Sequence, residues 1–166
     1  SPAYVEELLR ITALLHDVGH GPFCHFFDDN YLDEYGITHE HIGQRIITQE
    51  LGEAISKIRR SPHGVFQAGE KLDPQQIAYL ILKESKKSTA GPVQGKSSAS
   101  GGSGGKDPPR WLTFLRPIFG GIYTADNLDY VLRDAYMCGV AIGPVDLDRL
   151  MHYTFFTENG LTLHRS

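Results

Sequence analysis

The chain of 166 residues carries 16 Lys and Arg against 20 Asp and Glu, a formal net charge of -4 at pH 7 with its 8 histidines neutral, and 40% hydrophobic residues. That length and apolar content suffice for one domain with its own core, and the acidic balance argues against broad nucleic-acid binding, which needs a basic surface. No apolar run approaches the roughly 18 residues of a membrane span, no signal peptide is visible, and two cysteines without CxxC spacing make no disulfide framework, so a cytoplasmic protein with no membrane partner is expected.

Val5, Leu8, Leu9, Thr12 and Leu15 recur at steps of three and four. They predict an amphipathic helix from Pro2 to about His16, with Ser1 as its cap. At its end stands His16-Asp17-Val18-Gly19-His20-Gly21-Pro22-Phe23-Cys24-His25, three histidines and a carboxylate in ten residues. Gly19, Gly21 and Pro22 are expected to stop the helix and bend the chain so that His20 and His25 return towards His16 and Asp17. Imidazole and carboxylate together suit a divalent ion, with histidine tilting the choice towards transition metals. Packing alone is a poor explanation for so many imidazoles, because each buried one needs a partner. Cys24 reads as a small packed residue within the motif.

Thr38 to about Ile58 reads as one helix with Ile42, Ile46, Ile47, Leu51, Ile55 and Ile58 on its inner side, His39 at its first turn and His41 pointing elsewhere. Asp73-Pro74 begins a short helix running through Leu82. Residues 1–85 form the first part of the domain. Residues 86–109, with Ser97-Ser98-Ala99-Ser100-Gly101-Gly102-Ser103-Gly104-Gly105, form a flexible Gly/Ser-rich tract that cannot bury enough apolar surface to order itself. Residues 110–166 form the remainder. There Trp111 to Phe119 supplies aromatics expected in the core, and a helix beginning at Thr124 or Ala125 places Asp126, Tyr130, Arg133, Asp134 and Met137 on one face and Leu128, Val131, Leu132 and Ala135 on the other. Gly143-Pro144 breaks the chain, Asp146 caps a short helix, and Phe155 to Leu163 suggests a small hairpin turning at Asn159-Gly160. His63, His152 and His164 carry no local ligand pattern and read as non-catalytic.

The His16–Asp17 string, continued through Gly-His-Gly-Pro-Phe-Cys-His-Phe-Phe-Asp (Gly19 to Asp28), resembles the signature of the HD-domain metal-dependent phosphohydrolases. Within them it is similar to the deoxynucleoside triphosphate triphosphohydrolase branch of bacterial dGTPases and the animal sterile-alpha-motif/HD dNTPase. Tyr123 to Asp134 resembles that branch's helix carrying the last metal-binding aspartate. The resemblance covers roughly residues 4 to 60 and 110 to 165. It implies a mainly α HD-domain fold with a small C-terminal β-hairpin.

Residue by residue, the resemblance implies that His16, Asp17 and Asp126 bind a divalent metal ion (Mn, Mg, Fe, Co, Ni or Zn). It places His20, His25, Asp28, His39 and Glu40 around the phosphates, and Tyr130 and Asp134 near the nucleotide sugar. The implied activity is hydrolysis of a dNTP to deoxynucleoside and tripolyphosphate, with His25 as proton donor, His39 as second candidate, and Asp28 or Glu40 orienting the imidazole. The partners implied are a nucleotide and, in the intact protein, further copies of itself. Two departures accompany the match. Asn127 stands where the animal enzyme has a phosphate-contacting lysine, and no histidine precedes His16 to supply the family's first ligand. The chain therefore reads as an excised core, expected to bind metal weakly and turn over little by itself. The rival readings are another HD nucleotidase or phosphodiesterase, or a degenerate regulatory HD module.

Overall fold

In the first helix, α1 (Pro2–Leu15), the Ser1 side chain accepts a hydrogen bond from the Tyr4 amide at 3.3 Å and Pro2 occupies the first turn, where a missing N–H costs nothing. Tyr4, Leu8 and Thr12 face inward, and the Thr12 hydroxyl is satisfied within the helix by the Leu8 carbonyl at 2.7 Å. The computed structural model describes residues 1–82, 108–120, 123–143, 145–157 and 160–164.

After the motif turn come the short α2 (His25–Phe27), a π-helical turn at Asp28–Leu32 and a 3₁₀ turn at Asp33–Tyr35. The helix α3 (His39–Arg45) follows. The Thr38 side chain caps its third amide and the His41 ring accepts from the Thr38 amide at 3.2 Å, so His41 is a reciprocal cap. The helix expected to run on to Ile58 is broken: Ile46–Glu50 is π-helical, and α4 covers only Gly52–Ile55. The inner side survives the break, because Ile47 and Ile55 are buried while Leu51 and Ile58 pack against the same core. The π turn takes up an extra residue, and Ile47 within it and Ile55 after it both still face inward.

A small antiparallel hairpin, β1 (Arg60–Ser61) with β2 (Gly64–Val65), packs on α1; no strand is expected at this point from the sequence pattern. Asp73 caps α5 (Pro74–Ile81), accepting from the Gln75 amide at 2.9 Å. Ile77, Ala78, Leu80 and Ile81 bury its inner face against α1, α3 and the Ile46–Glu50 turn.

The second part begins with α6 (Arg110–Leu115) and α7 (Pro117–Gly120). Here Leu112 is the buried residue, Leu115 and Phe119 pack beside it, and Trp111 is exposed, so the aromatic segment is core at its aliphatic positions rather than at its indole. The Arg116 guanidinium, lying over the Tyr79 ring at 4.8 Å, ties this segment to α5. Thr124 caps α8 (Ala125–Cys138), which Gly139 ends in the left-handed conformation, and Asp146 caps α9 (Leu147–Tyr153). None of the residues of α8 or α9 is buried, and Val131, expected on the core side, is exposed. The strands β3 (Thr154–Thr157) and β4 (Gly160–Leu163) pair antiparallel with Thr157 opposite Gly160, making the C-terminal hairpin. The Gly/Ser-rich tract, Pro144 and Asn159 lie outside the described residues, apart from Pro108 and Pro109 at the tract's end. The fold is mainly α, and among the described residues no helix is long and apolar enough to cross a membrane.

Candidate metal centre

His16 caps the C-terminus of α1, and its Nδ1 lies 2.8 Å from the Ala13 carbonyl. A carbonyl only accepts, so Nδ1 carries the proton and the lone pair is left on Nε2. That nitrogen is buried and makes no hydrogen bond, while facing the carboxylates of Asp17 at 3.2 Å and Asp126 at 3.6 Å. The approach distances are close, but their direction does not make a hydrogen bond. An imidazole lone pair aimed between two carboxylates is repulsive by itself and attractive once a cation lies between them, and a backbone bond at the other ring nitrogen is the usual way of orienting a metal-binding histidine. These three residues, separated by 109 positions from Asp17 to Asp126, are brought together by the end of α1 and the first turn of α8.

The next bend is made differently from its expected form. Gly19 and Gly21 are needed for space rather than for unusual dihedrals: a Cβ on Gly19 would lie 2.0 Å from the His39 carbonyl oxygen, and one on Gly21 would lie 2.4 Å from the Phe27 ring. The left-handed backbone falls instead on Phe23 (φ 65°) and Cys24 (φ 52°), which are both exposed, so Cys24 is not a packed core residue. The contact of Gly19 with the start of α3 sets the distance between the motif turn and His39.

Four side chains then converge. One oxygen of Asp28, Oδ2, lies 2.6 Å from Nδ1 of His39, 3.2 Å from Nδ1 of His20 and 3.6 Å from Nδ1 of His25. One donor atom from each residue can be chosen so that all four lie within 4.8 Å of one another. The rings of His20 and His39 stack at 3.7 Å, and His25 meets both edge-on. The Glu40 carboxylate stands 3.2 Å from the other nitrogen of His39. His20, His39 and Asp28 are nearly enclosed, with 9%, 8% and 13% of their side chains exposed, whereas His25 is 72% exposed and forms the open wall. Burial and the neighbouring His39 ring hold His20 below the ordinary histidine range, against the opposing pull of Asp17 and Asp28. His20 also joins the two groups, since its Nε2 lies 3.5 Å from Asp17.

The remaining candidates are less centrally placed. Asn127 is turned back on the start of its own helix: its Oδ1 accepts from the Thr124 hydroxyl at 2.6 Å, and its amide donates to the same hydroxyl at 3.1 Å. At the third helical position beside a threonine cap, its side-chain oxygen and backbone N–H serve the helix start. Tyr130 and Asp134 lie exposed one and two turns along α8 from Asp126. Sequence spacing did not anticipate the convergence of three Nδ1 atoms on one Asp28 oxygen, which depends on the π turn that begins at Asp28. It also missed the pairing of His63 with Glu6 at 2.6 Å, remote in sequence. His152 and His164 are accounted for by ring contacts with Tyr153 and Phe155.

Comparison with known proteins identifies the family. The HD domain family model matches residues 5–91. The uncharacterized protein YwfO of Bacillus subtilis is 29% identical over 161 residues, covering 96% of this chain and 28% of its own length. The uncharacterized protein MJ1154 of Methanocaldococcus jannaschii is 29% identical over 145 residues, covering 87% of this chain and 21% of its own. The crystal structure of a hypothetical protein from Aquifex aeolicus superposes with a TM-score of 0.57 at 26% identity, over 95% of this chain and 34% of that one. The chain thus spans about a quarter of the curated relatives' length and a third of the solved one's. Its helical fold, its His16–Asp17 pair at a helix end and the family match over more than half its residues agree: the chain belongs to the HD-domain family.

Proposed function

We propose that the chain carries the catalytic core of a metal-dependent phosphohydrolase acting on nucleotides, with deoxynucleoside triphosphates as the leading substrate class. The observation that supports this most is the unpartnered Nε2 of His16 facing the carboxylates of Asp17 and Asp126. These three residues would hold the ion, which supplies a hydroxide near neutral pH and positive charge beside the phosphorus centre. The histidine group lies next to them, with His25 on the open side to protonate the departing oxygen of the nucleoside. Asp28 orients its ring, and Glu40 and His39 form a second donor pair behind it. His20, enclosed and favouring its neutral form, is placed to donate one hydrogen bond to a phosphate oxygen without adding charge. Tyr130 and Asp134, exposed on α8, would contact the sugar, as the family resemblance implies.

The test is a panel of dNTPs incubated with the manganese-loaded chain, with products separated. Nucleoside plus tripolyphosphate is expected, released slowly. Release of monophosphate or of a dNDP instead points to another HD nucleotidase. Replacing His16 by Ala should remove manganese and turnover together. His25→Ala should lower kcat by roughly 100-fold to 10,000-fold, the usual span for losing a general acid or base, while leaving manganese content unchanged. An undiminished rate in His25→Ala transfers the role of donor to His39.

A further inference from the structure

The histidine group has more nitrogen than proton transfer requires. Three imidazole Nδ1 atoms surround one carboxylate oxygen, in a mostly enclosed pocket with one exposed wall. Two atoms of the group are buried without a hydrogen bond: Nδ1 of His20, whose 3.2 Å approach to Asp28 lacks the right direction, and Oδ1 of Asp28. Leaving either so enclosed is unfavourable, and a ligand at this point would relieve it. A set of three imidazoles and one carboxylate, with donor atoms already within 4.8 Å of one another, needs side-chain movements of an ångström or so to reach the metal–ligand distances of about 2.0 to 2.2 Å typical of tetrahedral zinc. The second cause of fit is access: His25, at 72% exposure, can swing outward to admit an ion and back to close on it.

We propose that His20, His25, Asp28 and His39 form a second divalent-cation site, separate from the His16–Asp17–Asp126 group, that takes nitrogen-preferring ions such as zinc or cobalt and inhibits hydrolysis when filled. The donor sets of the two groups differ. One imidazole with two carboxylates suits the harder manganese or magnesium, and three imidazoles with one carboxylate suit zinc and cobalt. Binding at the second site replaces the proton that His39 shares with Asp28 and occupies the lone pair of His25, so the same residues cannot then donate a proton to a leaving group. The site itself does not depend on the proposed hydrolase activity; the inhibition does.

Cobalt(II) titration of the purified chain, followed by its visible absorption and by metal analysis after gel filtration, tests the site. One equivalent should bind with the intense absorption of a tetrahedral centre and survive the double replacement of His16 and Asp126 by Ala. Asp28→Asn with His39→Gln should abolish it. His25→Ala, a change at an exposed side chain that leaves the fold intact, should weaken it by at least about tenfold. Loss of the cobalt signal in the His16/Asp126 double variant and its retention in Asp28→Asn/His39→Gln, with circular dichroism unchanged, would overturn the second site and leave a hydrogen-bonded cluster in its place. Inhibition is read separately: with manganese present, zinc beyond one equivalent should suppress nucleoside release. Cobalt binding without such suppression retains the site and removes its regulatory meaning, and absence of any nucleoside release with manganese alone, in a chain that still binds cobalt, overturns the hydrolase reading alone.

Discussion

Residues 1–82 and the pair α8–α9 have comparable amphipathic patterns and opposite degrees of cover. The first region buries Leu8, Ile47, Leu72, Ile77 and Leu80 almost completely, and of the buried hydrophobic core only Leu112 comes from beyond residue 82 among the described residues. The second region buries no residue of either helix, and Tyr136, Met137, Val140 and Met151 are exposed. His16, Asp17 and the histidine group therefore stand on, or directly beside, a packed scaffold, whereas Asp126 is carried on a helix held mainly by its cap and by neighbouring α7. Pre-organisation of a metal centre depends on how firmly its ligands are supported. In this chain the support is uneven, and of the three residues proposed to hold the ion Asp126 stands on the least buried element.

Core substitutions should break the comparison most visibly. Ile77→Ala removes a fully buried side chain between α5 and α1 and should cost about 2 to 5 kcal/mol. Leu132→Ala, on the half-buried side of α8, should cost about 1 kcal/mol or less. Urea unfolding of the two variants measures the contrast, and equal losses would show that α8 is as firmly packed as α5. Next in size is the cap. Thr124→Ala removes the hydroxyl that accepts from the Asn127 backbone N–H and donates to the Asn127 side-chain oxygen, and should destabilise by roughly 0.5 to 2 kcal/mol. Because Asp126 lies inside that capped turn, manganese affinity should fall in Thr124→Ala while cobalt binding at the histidine group stays the same. A parallel loss of both metals would show that the two regions move as one.

The smallest effect concerns acid. Glu6 of α1 accepts from the Ser61 hydroxyl and from His63, both at 2.6 Å, and these hold its carboxyl below the ordinary carboxylate range, Ser61 first and His63 second. A depressed folded value stabilises the fold above the unfolded pKa of about 4.3, and that contribution disappears as the pH falls through the folded value. Glu6→Gln should therefore lower the Tm modestly at pH 7, and its difference from the unmodified chain should shrink in the acid range. A difference independent of pH would mean that Glu6 acts on the β1–β2 hairpin through packing rather than charge.

Much of this organisation was legible in local sequence. Ser1-Pro2, Asp73-Pro74, Thr124 and Asp146 all begin helices where their side chains can meet free amides, and the three-and-four spacing of Leu8 and Thr12 marks a buried side. Short-range rules also placed His16 and Asp17 together at a helix end. They failed where two distant segments settle a detail jointly. Nothing local indicates that Phe23 and Cys24, rather than the adjacent glycines, take the left-handed backbone, because the glycines are claimed by close approach to His39 and Phe27. The π turn at Ile46–Glu50 is invisible to a periodicity that still puts Ile47 and Ile55 inward. The expectation of a covered α8 followed from its pattern alone, and a pattern describes which face can be buried without supplying the surface that buries it.

The ring of His20 lies between Asp17, at one nitrogen, and Asp28, at the other. A neutral imidazole has a single N–H, so it presents a hydrogen to one of these carboxylates and a lone pair to the other. Whichever neighbourhood holds the hydrogen leaves the opposite one with two electron-rich groups face to face, a repulsion that a cation between them would relieve. The position of one hydrogen atom is thereby common to both groups, and His20 is the side chain they share.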